Sequence, residues 1–318
     1  MPSISLDHVT TIECHYVATE HAAVYLIEAN GRAAFVDNNT QLALPYMLAA
    51  LEDKGLKPED VNLMLVTHAH LDHAGGTAAL LEVCPNAHVY THPKAKRHIV
   101  DPSRLVAGAK QVYGEEVFDA YYGEVAPVSE DRITAVEDGE VITWEGHTFN
   151  CFYTLGHASH HVCFHDEAMN AVFPGDNLGV GISPLLHPEW SGLFASSSPP
   201  EFDANLARES VQKILGTGAR AAYPTHYGRF DDVPKAVAQV EHSLDLTEQC
   251  IADGLNTDLE GDELLEWSRD RIGSAIKEHL GWCGVADVEE AYKWYFGDVF
   301  LNGMGLSIAV QRARKAGA

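Results

Sequence analysis

The stretch that decides the fold is Thr67-His68-Ala69-His70-Leu71-Asp72-His73-Ala74-Gly75-Gly76, which holds three imidazoles and one carboxylate within six positions. It follows an apolar run at residues 61–66 that has the length of a buried strand. His68 and His70 are two positions apart, so an extended backbone directs both rings to the same side. Asp72 and His73 follow them, on a turn into a predicted helix, so their side chains can point toward a second position. The spacing therefore suits two metal positions.

The residue types in this stretch favour metal binding over a structural role. Imidazole and carboxylate groups suit zinc and iron, and a catalytic site leaves one coordination position open for water. A lone buried histidine is usually hydrogen-bonded within a core, but 18 histidines in 318 residues make this pattern rare by chance. Four residues cannot complete two such sites, so further ligands must come from elsewhere in the chain.

The flanking sequence alternates strand and helix patterns in two rounds. Asn30-Gly31 predicts a hairpin turn, because both positions tolerate positive φ. The predicted strands of the first half span residues 25–29, 33–37, 61–66, 88–91, 140–144, 148–154, 161–165 and 170–173. The predicted helices there span residues 41–51 and 74–83, with a solvated helical turn at 94–98. This alternation favours a layered α/β architecture.

The second half is mostly helical. Residues 179–200 are rich in Gly, Ser and Pro and follow neither period, which predicts a long functional loop or lid. Helices are predicted at residues 202–215, 233–251, 262–279 and 287–296, with one strand at 219–223. Asp203 is the expected N-cap of the first of these helices.

Three further segments complete a known set of motifs. The segment from Thr154 to His161 resembles T-x-G-H-T-x-G-H, Phe173-Pro-Gly-Asp176 resembles F-x-G-D, and Pro224-Thr-His226 resembles a final histidine motif. With the first stretch, they make residues 10–240 similar to the metallo-β-lactamase superfamily. The resemblance implies a four-layered αββα sandwich over residues 1–240 as the catalytic domain. Residues 241–318 are then a helical extension that either covers the pocket or forms a homodimer interface.

The resemblance also implies a ligand set for two divalent metal ions. One metal takes His68, His70 and His157, the other takes Asp72, His73 and His226, and Asp176 bridges the two. Zinc is the expected metal, with iron or a mixed zinc and iron pair as alternatives. A hydroxide that bridges the metals would attack a polarised carbonyl, with Asp72 as a proton carrier and Asp176 as the second catalytic carboxylate.

Residues near the ligands are candidates for supporting or substrate-binding roles. His161 occupies the second histidine of its motif, usually a supporting residue, and its neighbour His160 is the alternative. The lactonase branch carries a Tyr soon after the bridging Asp, but residues 177–180 contain none, so Tyr223 or Tyr227 is the candidate replacement. Two aromatic residues of the 179–200 segment, Trp190 and Phe194, are expected to wall an apolar cleft.

These motifs predict a dinuclear hydrolase that cleaves an ester, thioester, lactone or related acyl bond of a small molecule. The Gly- and Arg-containing segment of glyoxalase II-like enzymes is missing after Asp176, which disfavours glutathione thioesters. Two alternatives stay open: a mononuclear-iron enzyme similar to persulfide dioxygenases, and a regulatory protein that holds metal in this fold.

Charge and composition exclude other classes. The 21 Lys and Arg against 46 Asp and Glu give a formal net charge of −25, which disfavours nucleic-acid and anionic-membrane partners. The six cysteines are scattered without Cys-x-x-Cys spacing, as expected for buried thiols. Residues 1–7 lack a basic, apolar leader, so we expect a cytoplasmic protein.

Overall fold

A computed structural model describes residues 5–317. The expectations for residues 1–4 and 318 therefore lie outside the described residues. Contacts group the chain into two compact units. The first holds the described residues up to Tyr153 together with His160–Gly175 and Thr225–Gly228, and the second holds Thr154–Ser159, Asp176–Pro224 and the described residues from Arg229 onward. The domain boundary after residue 240 stays a prediction.

A six-stranded sheet in sequential order dominates the first unit. Its strands are β1 (Val9–Glu13), β2 (Ala23–Ala29), β3 (Arg32–Val36), β4 (Val61–Val66), β5 (His88–Thr91) and β6 (Ile133–Ala135). The pairs β1–β2 and β2–β3 are antiparallel, and the predicted Asn30-Gly31 turn joins the second pair with φ values of 51° and 73°. The pairs from β3 to β6 are parallel, so β3 and β4 end at the same edge.

The helices of this unit pack around an apolar core with that sheet. They are α1 (Leu44–Asp53), α2 (Leu71–Ala74), α3 (Thr77–Val83), α4 (Pro93–Val100), α5 (Ser103–Tyr113) and α6 (Glu115–Tyr122). The helix expected at residues 74–83 begins later, at Thr77, as α3, and Gly75-Gly76 separates it from the short α2. A Cβ at Gly76 would lie only 2.6 Å from the Asn38 carbonyl oxygen, so the turn depends on close backbone approach. The sequence patterns predicted neither α5 nor α6.

A second, antiparallel sheet in the first unit confirms the four strands predicted after residue 136. It contains β7 (Val141–Trp144), β8 (His147–Tyr153), β9 (Val162–Asp166) and β10 (Ala171–Phe173), paired in the order β10-β9-β8-β7. The backbone N–H of Val162 donates to the Thr67 carbonyl at 2.9 Å. This hydrogen bond joins the start of β9 to the residue just before the first histidine of the motif.

The second unit is largely helical. Its elements are β11 (Val180–Ile182), β12 (Gly192–Phe194), α7 (Ala204–Gly216), β13 (Ala221–Ala222), α8 (Val233–Leu255), α9 (Gly261–Trp282), α10 (Val288–Tyr292) and α11 (Phe296–Gly317). The Asp203 carboxylate accepts from the Leu206 N–H at 3.1 Å, which confirms the predicted N-cap. No helix in residues 5–317 is long and apolar enough to cross a membrane.

The 179–200 segment differs from the loop that its composition predicts. β11 and β12 pair as a hairpin within it, and Phe194 is 1% exposed in a core with residues of α8, α9 and α11. The helical extension thus covers the Phe194 ring, and the expectation that Phe194 walls an apolar cleft stays a prediction. Trp190 is half-buried and packs against the same core.

Helix α11 holds the chain that follows β12. The Asn302 side chain accepts from the Ser197 N–H at 2.8 Å and donates to the Ala195 carbonyl at 3.5 Å. At Gly305 the helix backbone approaches so closely that an added Cβ would lie 1.6 Å from the Ser197 carbonyl oxygen. Residues 195–197 are thus fixed by a helix more than 100 positions further along the chain.

We expect Gly305→Ala to lower the free energy of unfolding by at least about 2 kcal/mol, because the backbone must move to admit the methyl group. Gly297→Ala in the same helix is the matched control. Its Cβ would meet nothing within 4 Å, so we expect no loss, or a gain of up to about 1 kcal/mol. Denaturant titration of both variants measures the difference. Equal stabilities would contradict the close contact at Gly305.

His279 is a fully buried imidazole within the second unit. Its Nδ1 lies 3.0 Å from His242 Nδ1, and its Nε2 lies 3.4 Å from Cys283 Sγ. Burial, and then the neighbouring His242, lower the pKa of His279 from 6.5 to about 4. The folded protein therefore holds this ring neutral at a pH where the unfolded chain protonates it.

This lowered pKa predicts a loss of stability in mild acid. Between pH 6.5 and about 4 the unfolded state binds the proton and the folded state does not, so the free energy of unfolding falls as pH falls. The full effect is roughly 3 kcal/mol at 1.4 kcal/mol per pH unit. His279→Gln should flatten this part of the stability profile. An unchanged slope would show that His279 titrates normally.

Candidate metal centre

The motif begins where β4 ends in the first unit. Thr67 to His70 form an extended segment, and His70 is the N-cap of α2, which carries Asp72 and His73. The predicted same-side placement of His68 and His70 is confirmed, since His68 Nε2 lies 3.0 Å from His70 Nδ1. Two ring nitrogens this close point toward one position.

The buried carboxylate of Asp37 organises this segment. It accepts from the Thr67 backbone N–H at 2.8 Å, the Thr67 hydroxyl at 3.0 Å, His73 Nδ1 at 2.9 Å and the Thr225 hydroxyl at 2.8 Å. Asp37 directly follows β3 and has a φ of 55°. Because β3 and β4 end at the same edge, the carboxylate reaches the motif directly.

These hydrogen bonds assign the Nδ1 atom of each ring to an oxygen partner, which leaves Nε2 as the candidate metal-binding atom. The Thr67 hydroxyl donates to Asp37, so its oxygen accepts from His68 Nδ1 at 3.1 Å. His226 Nδ1 donates to the His21 carbonyl at 2.7 Å, and His73 Nδ1 donates to Asp37. Each of the three histidines then presents its Nε2 lone pair, as metal-binding histidines do when an outer partner holds the other nitrogen.

A compact group of three predicted ligands lies wholly within the first unit. Asp72, His73 and His226 each offer one ligand atom within 4.8 Å of the others. Asp72 Oδ2 lies 3.4 Å from His226 Nε2 and 3.9 Å from His73 Nε2. The two histidines are buried, whereas the Asp72 side chain is 21% exposed. Asp72 is therefore the ligand of this set that solvent reaches.

A second pair of predicted ligands lies within the second unit. His157 Nε2 is 3.4 Å from Asp176 Oδ2, and His157 Nδ1 donates to the Ser196 carbonyl at 3.3 Å. Both side chains are buried. Ser196 belongs to the chain that Asn302 of α11 fixes, so the helical extension supports the orientation of His157.

The loop that carries His157 is anchored on α7. The Gly156 carbonyl accepts from the Asp203 N–H at 2.8 Å, and a Cβ at Gly156, whose φ is 112°, would lie 2.1 Å from the Ala207 nitrogen. The Leu155 carbonyl accepts from the Ser210 hydroxyl at 2.6 Å. These contacts explain why the motif requires glycine just before the histidine.

His161 and His160 both lie beside the first motif. The His161 ring stacks on His68 with centroids 4.8 Å apart, and His160 Nδ1 accepts from the Ala69 N–H at 3.3 Å. A Cβ at Gly175, whose φ is 50°, would lie 2.4 Å from His161 Nε2 and 2.8 Å from Thr67 Oγ1. The glycine of the F-x-G-D motif thus leaves room for the His161 ring.

The tyrosine candidates near His226 are buried. Tyr223 is 2% exposed and Tyr227 is 5% exposed. Burial raises the pKa of Tyr223 to about 12 and also raises the pKa of Tyr227, where Glu13 adds to the effect. Their substrate-binding role stays a prediction.

Sequence reasoning missed the residues that orient the ligands. Asp37, Thr225 and His21 act through side-chain or carbonyl contacts with residues far away in sequence. The available signal was the position of Asp37 at the end of a predicted strand, next to the strand that leads into the motif. Polar residues at the carboxyl ends of parallel strands are typical of ligand-binding sites. For Thr67 the signal was its position between the predicted strand at residues 61–66 and the first histidine of the motif.

The donors present fit divalent metal ions. All of them are imidazole nitrogens or carboxylate oxygens, the donor types that suit zinc and iron. The oxygen partners on His68, His73, His157 and His226 match the outer contacts that orient metal ligands.

Comparison with known proteins assigns the family. The family model of the metallo-β-lactamase superfamily matches residues 19–226. The chain belongs to this superfamily. A metallo-β-lactamase family protein from Thermus thermophilus aligns with 98% of this chain and 95% of its own, at 22% identity and a TM-score of 0.66. A superfamily protein from Sulfolobus tokodaii aligns with 94% and 97%, at 20% identity and 0.63. The predicted αββα fold with a helical extension is confirmed.

Curated relatives of the superfamily match only part of the chain. A hydroxyacylglutathione hydrolase from Francisella philomiragia is 29% identical over 60% of this chain and 60% of its own length. An atrochrysone carboxyl ACP thioesterase from Aspergillus fumigatus is 26% identical over 56% of this chain and 42% of its own. The chain thus spans between two fifths and three fifths of these relatives.

We expect Asp37→Asn to weaken metal binding about 10- to 100-fold, because an amide cannot accept from all the donors that the carboxylate holds. Asp138→Asn is the control, since Asp138 accepts only a backbone N–H, from Tyr153, in a distant turn. Competition with a chromogenic chelator measures both affinities. Wild-type affinity in Asp37→Asn would show that the carboxylate does not orient the ligands.

Proposed function

We propose that this protein is a hydrolase that holds two divalent metal ions, zinc foremost, and cleaves an ester, thioester, lactone or related acyl bond of a small molecule. One metal would take His68, His70 and His157, and the other Asp72, His73 and His226, with Asp176 between them. The observation that carries the proposal is the common orientation of the imidazoles. Four of them donate a hydrogen bond from Nδ1–H to a protein oxygen, which leaves Nε2 as the proposed metal-binding atom.

The residues around the ligands suit acyl hydrolysis. When bound, two dications would supply an activated water at neutral pH and a Lewis acid for the carbonyl. The Asp72 side chain is partly exposed, so its carboxylate can take up or release a proton beside the substrate. The Nδ1 atoms of His73 and His226 donate to the Asp37 carboxylate and the His21 carbonyl, so these two atoms do not compete for that proton.

Charge and family favour a small acyl substrate. The relatives named above are a hydrolase and a thioesterase, which supports an acyl bond as the target. The formal net charge of −25 disfavours nucleic acid as substrate. Thioesters and esters are therefore the first substrates to assay, followed by lactones.

The first test measures metal content and chemistry together. Protein purified without added metal should contain two equivalents of metal by elemental analysis. It should hydrolyse some members of a panel of esters, thioesters, lactones and β-lactams, and chelation should abolish this activity until metal is restored. One iron per chain with oxygen-dependent sulfur oxidation would contradict the hydrolase. Two metals without turnover on any substrate would favour a regulatory role instead.

We expect Asp176→Asn to reduce metal content and hydrolysis together, with at least a 100-fold loss of kcat/KM, because the proposed bridge loses its charge. Asp166→Asn removes a buried carboxylate from β9, where it pairs with His147 away from the ligands, and controls for effects on folding. If Asp176→Asn kept two metals and near wild-type kcat/KM, the role of Asp176 would be wrong.

A further inference from the structure

Helix α4 carries a local concentration of positive charge in an acidic chain. Between Glu82 and Glu115 the sequence has five Lys and Arg residues and one carboxylate, Asp101, although acidic residues outnumber basic ones more than twofold overall. Two of these cations, Lys94 and Arg97, lie three positions apart on α4, and both are exposed. Positions three apart are neighbours on a helix surface, so Lys94 and Arg97 form one basic patch.

The basic patch is not neutralised by the surrounding structure. The other cation of α4, Lys96, pairs with Glu130 at 3.3 Å, and the Asp101 carboxylate accepts from a backbone N–H at 3.1 Å. In the part of the chain that the structure describes, neither Lys94 nor Arg97 has a carboxylate partner. Ion pairs within the fold therefore do not account for these two cations, and both can bind an anionic ligand.

The basic patch lies near the histidine motif of the first unit. Strands β4 and β5 are parallel, so the motif after β4 and helix α4 after β5 start from the same edge of the sheet. His98 follows Lys94 by one turn on the same face of α4, and its ring centroid is 5.5 Å from that of His160. The His160 ring is 5.3 Å from that of His70. Three steps of about 5 Å each thus join Lys94 to a proposed metal ligand.

This separation decides which kind of anion the patch suits. An anionic group held there is too far from the proposed metals to be the group that reacts, so it must sit at the far end of a flexible arm. The guanidinium of Arg97 can bind two phosphate oxygens at once, and the ammonium of Lys94 adds a second positive charge. Two cations match the charge of roughly −2 on a phosphate monoester.

The charge of the whole chain favours a small molecule over an acidic protein as the ligand. Charges in water are screened over about 8 Å at physiological ionic strength, so a small anion on the patch senses mainly Lys94 and Arg97. A stable protein partner covers about 800 Å² of surface, and an acidic one would also meet the excess of 25 negative charges. The patch therefore fits a phosphate group of a small substrate.

We propose that Lys94 and Arg97 bind a phosphate group on the thiol portion of an acyl thioester, at the end of a flexible arm, as coenzyme A carries it. The inference rests on the proposed hydrolase and narrows its substrate to thioesters of phosphorylated thiols. Water adds to the acyl carbon and the C–S bond breaks, which yields a carboxylic acid and the free thiol. Both cations are specificity-determining residues that hold the leaving thiol.

The test compares matched substrates in matched variants. The substrates are the coenzyme A and pantetheine thioesters of the acyl group hydrolysed best in the panel, which share the thioester and differ in the phosphorylated nucleotide. The variants are Lys94→Gln, Arg97→Gln and the double variant. Lys110→Gln is the control, because Lys110 lies in the same basic stretch but faces Glu115 and Asp119 at 3.7 and 3.9 Å. Calorimetric binding of adenosine 3′,5′-bisphosphate, which has no thiol, provides a readout independent of turnover.

We expect the wild type to favour the coenzyme A thioester about tenfold or more in kcat/KM, mainly through KM, because charged hydrogen bonds hold its phosphate. This preference should shrink as salt is added. The double variant should bring the ratio to within about twofold of unity and weaken bisphosphate binding about tenfold or more. Each single variant should lie between these values, and Lys110→Gln should match the wild type.

Other outcomes overturn the inference. If the wild type hydrolyses both thioesters equally, or if the double variant keeps the wild-type ratio and bisphosphate affinity, the patch does not select the substrate, and the hydrolase proposal stands. A preference only for thioesters of an acidic carrier protein would assign the patch to a protein partner instead. Absence of hydrolysis across the whole acyl panel contradicts the proposed function, and with it the substrate assignment, even where the bisphosphate binds.

Discussion

The carboxylate of Asp37 is the contact on which the candidate centre depends. It joins the end of β3 to the residue that follows β4 through Thr67, to α2 through His73, and to the last motif through Thr225. A carboxylate can hold this many donors only because both of its oxygens accept. The adjacent backbone continues the connection, since the Asn38 N–H donates to the His73 carbonyl at 2.9 Å. One buried carboxylate thereby connects segments that are distant in sequence.

The helical extension has a comparable role in the second unit. Asn302 and Gly305 of α11 fix Ser197, and the neighbouring Ser196 carbonyl orients His157. The extension therefore forms an apolar core and also supports the orientation of His157, a proposed metal ligand. Whether it also covers the pocket or forms a homodimer interface stays a prediction.

Local signals in the sequence predicted much of the fold, and the residues proposed as metal ligands come from the same motifs. Residues 61–66 and 88–91 form strands with the predicted bounds, because continuous apolar runs leave little choice. Helix α11 escaped prediction beyond residue 296, since Gly297, Gly303 and Gly305 oppose a helix locally and only packing against residues 197–198 explains the last of these. Asp37 escaped for a similar reason, because its role arises from contacts with residues 30 to 188 positions away.

We propose that outer oxygen contacts preset these imidazoles to hold two metal ions. Anomalous diffraction from crystals of the metal-loaded protein tests this most directly. We expect two peaks about 3.5–4 Å apart, one bound by His68 Nε2 and His70 Nδ1 and the other by Nε2 of His73 and His226 together with Asp72. A single peak, or ligation through Nδ1 of His73 or His226, would contradict the account.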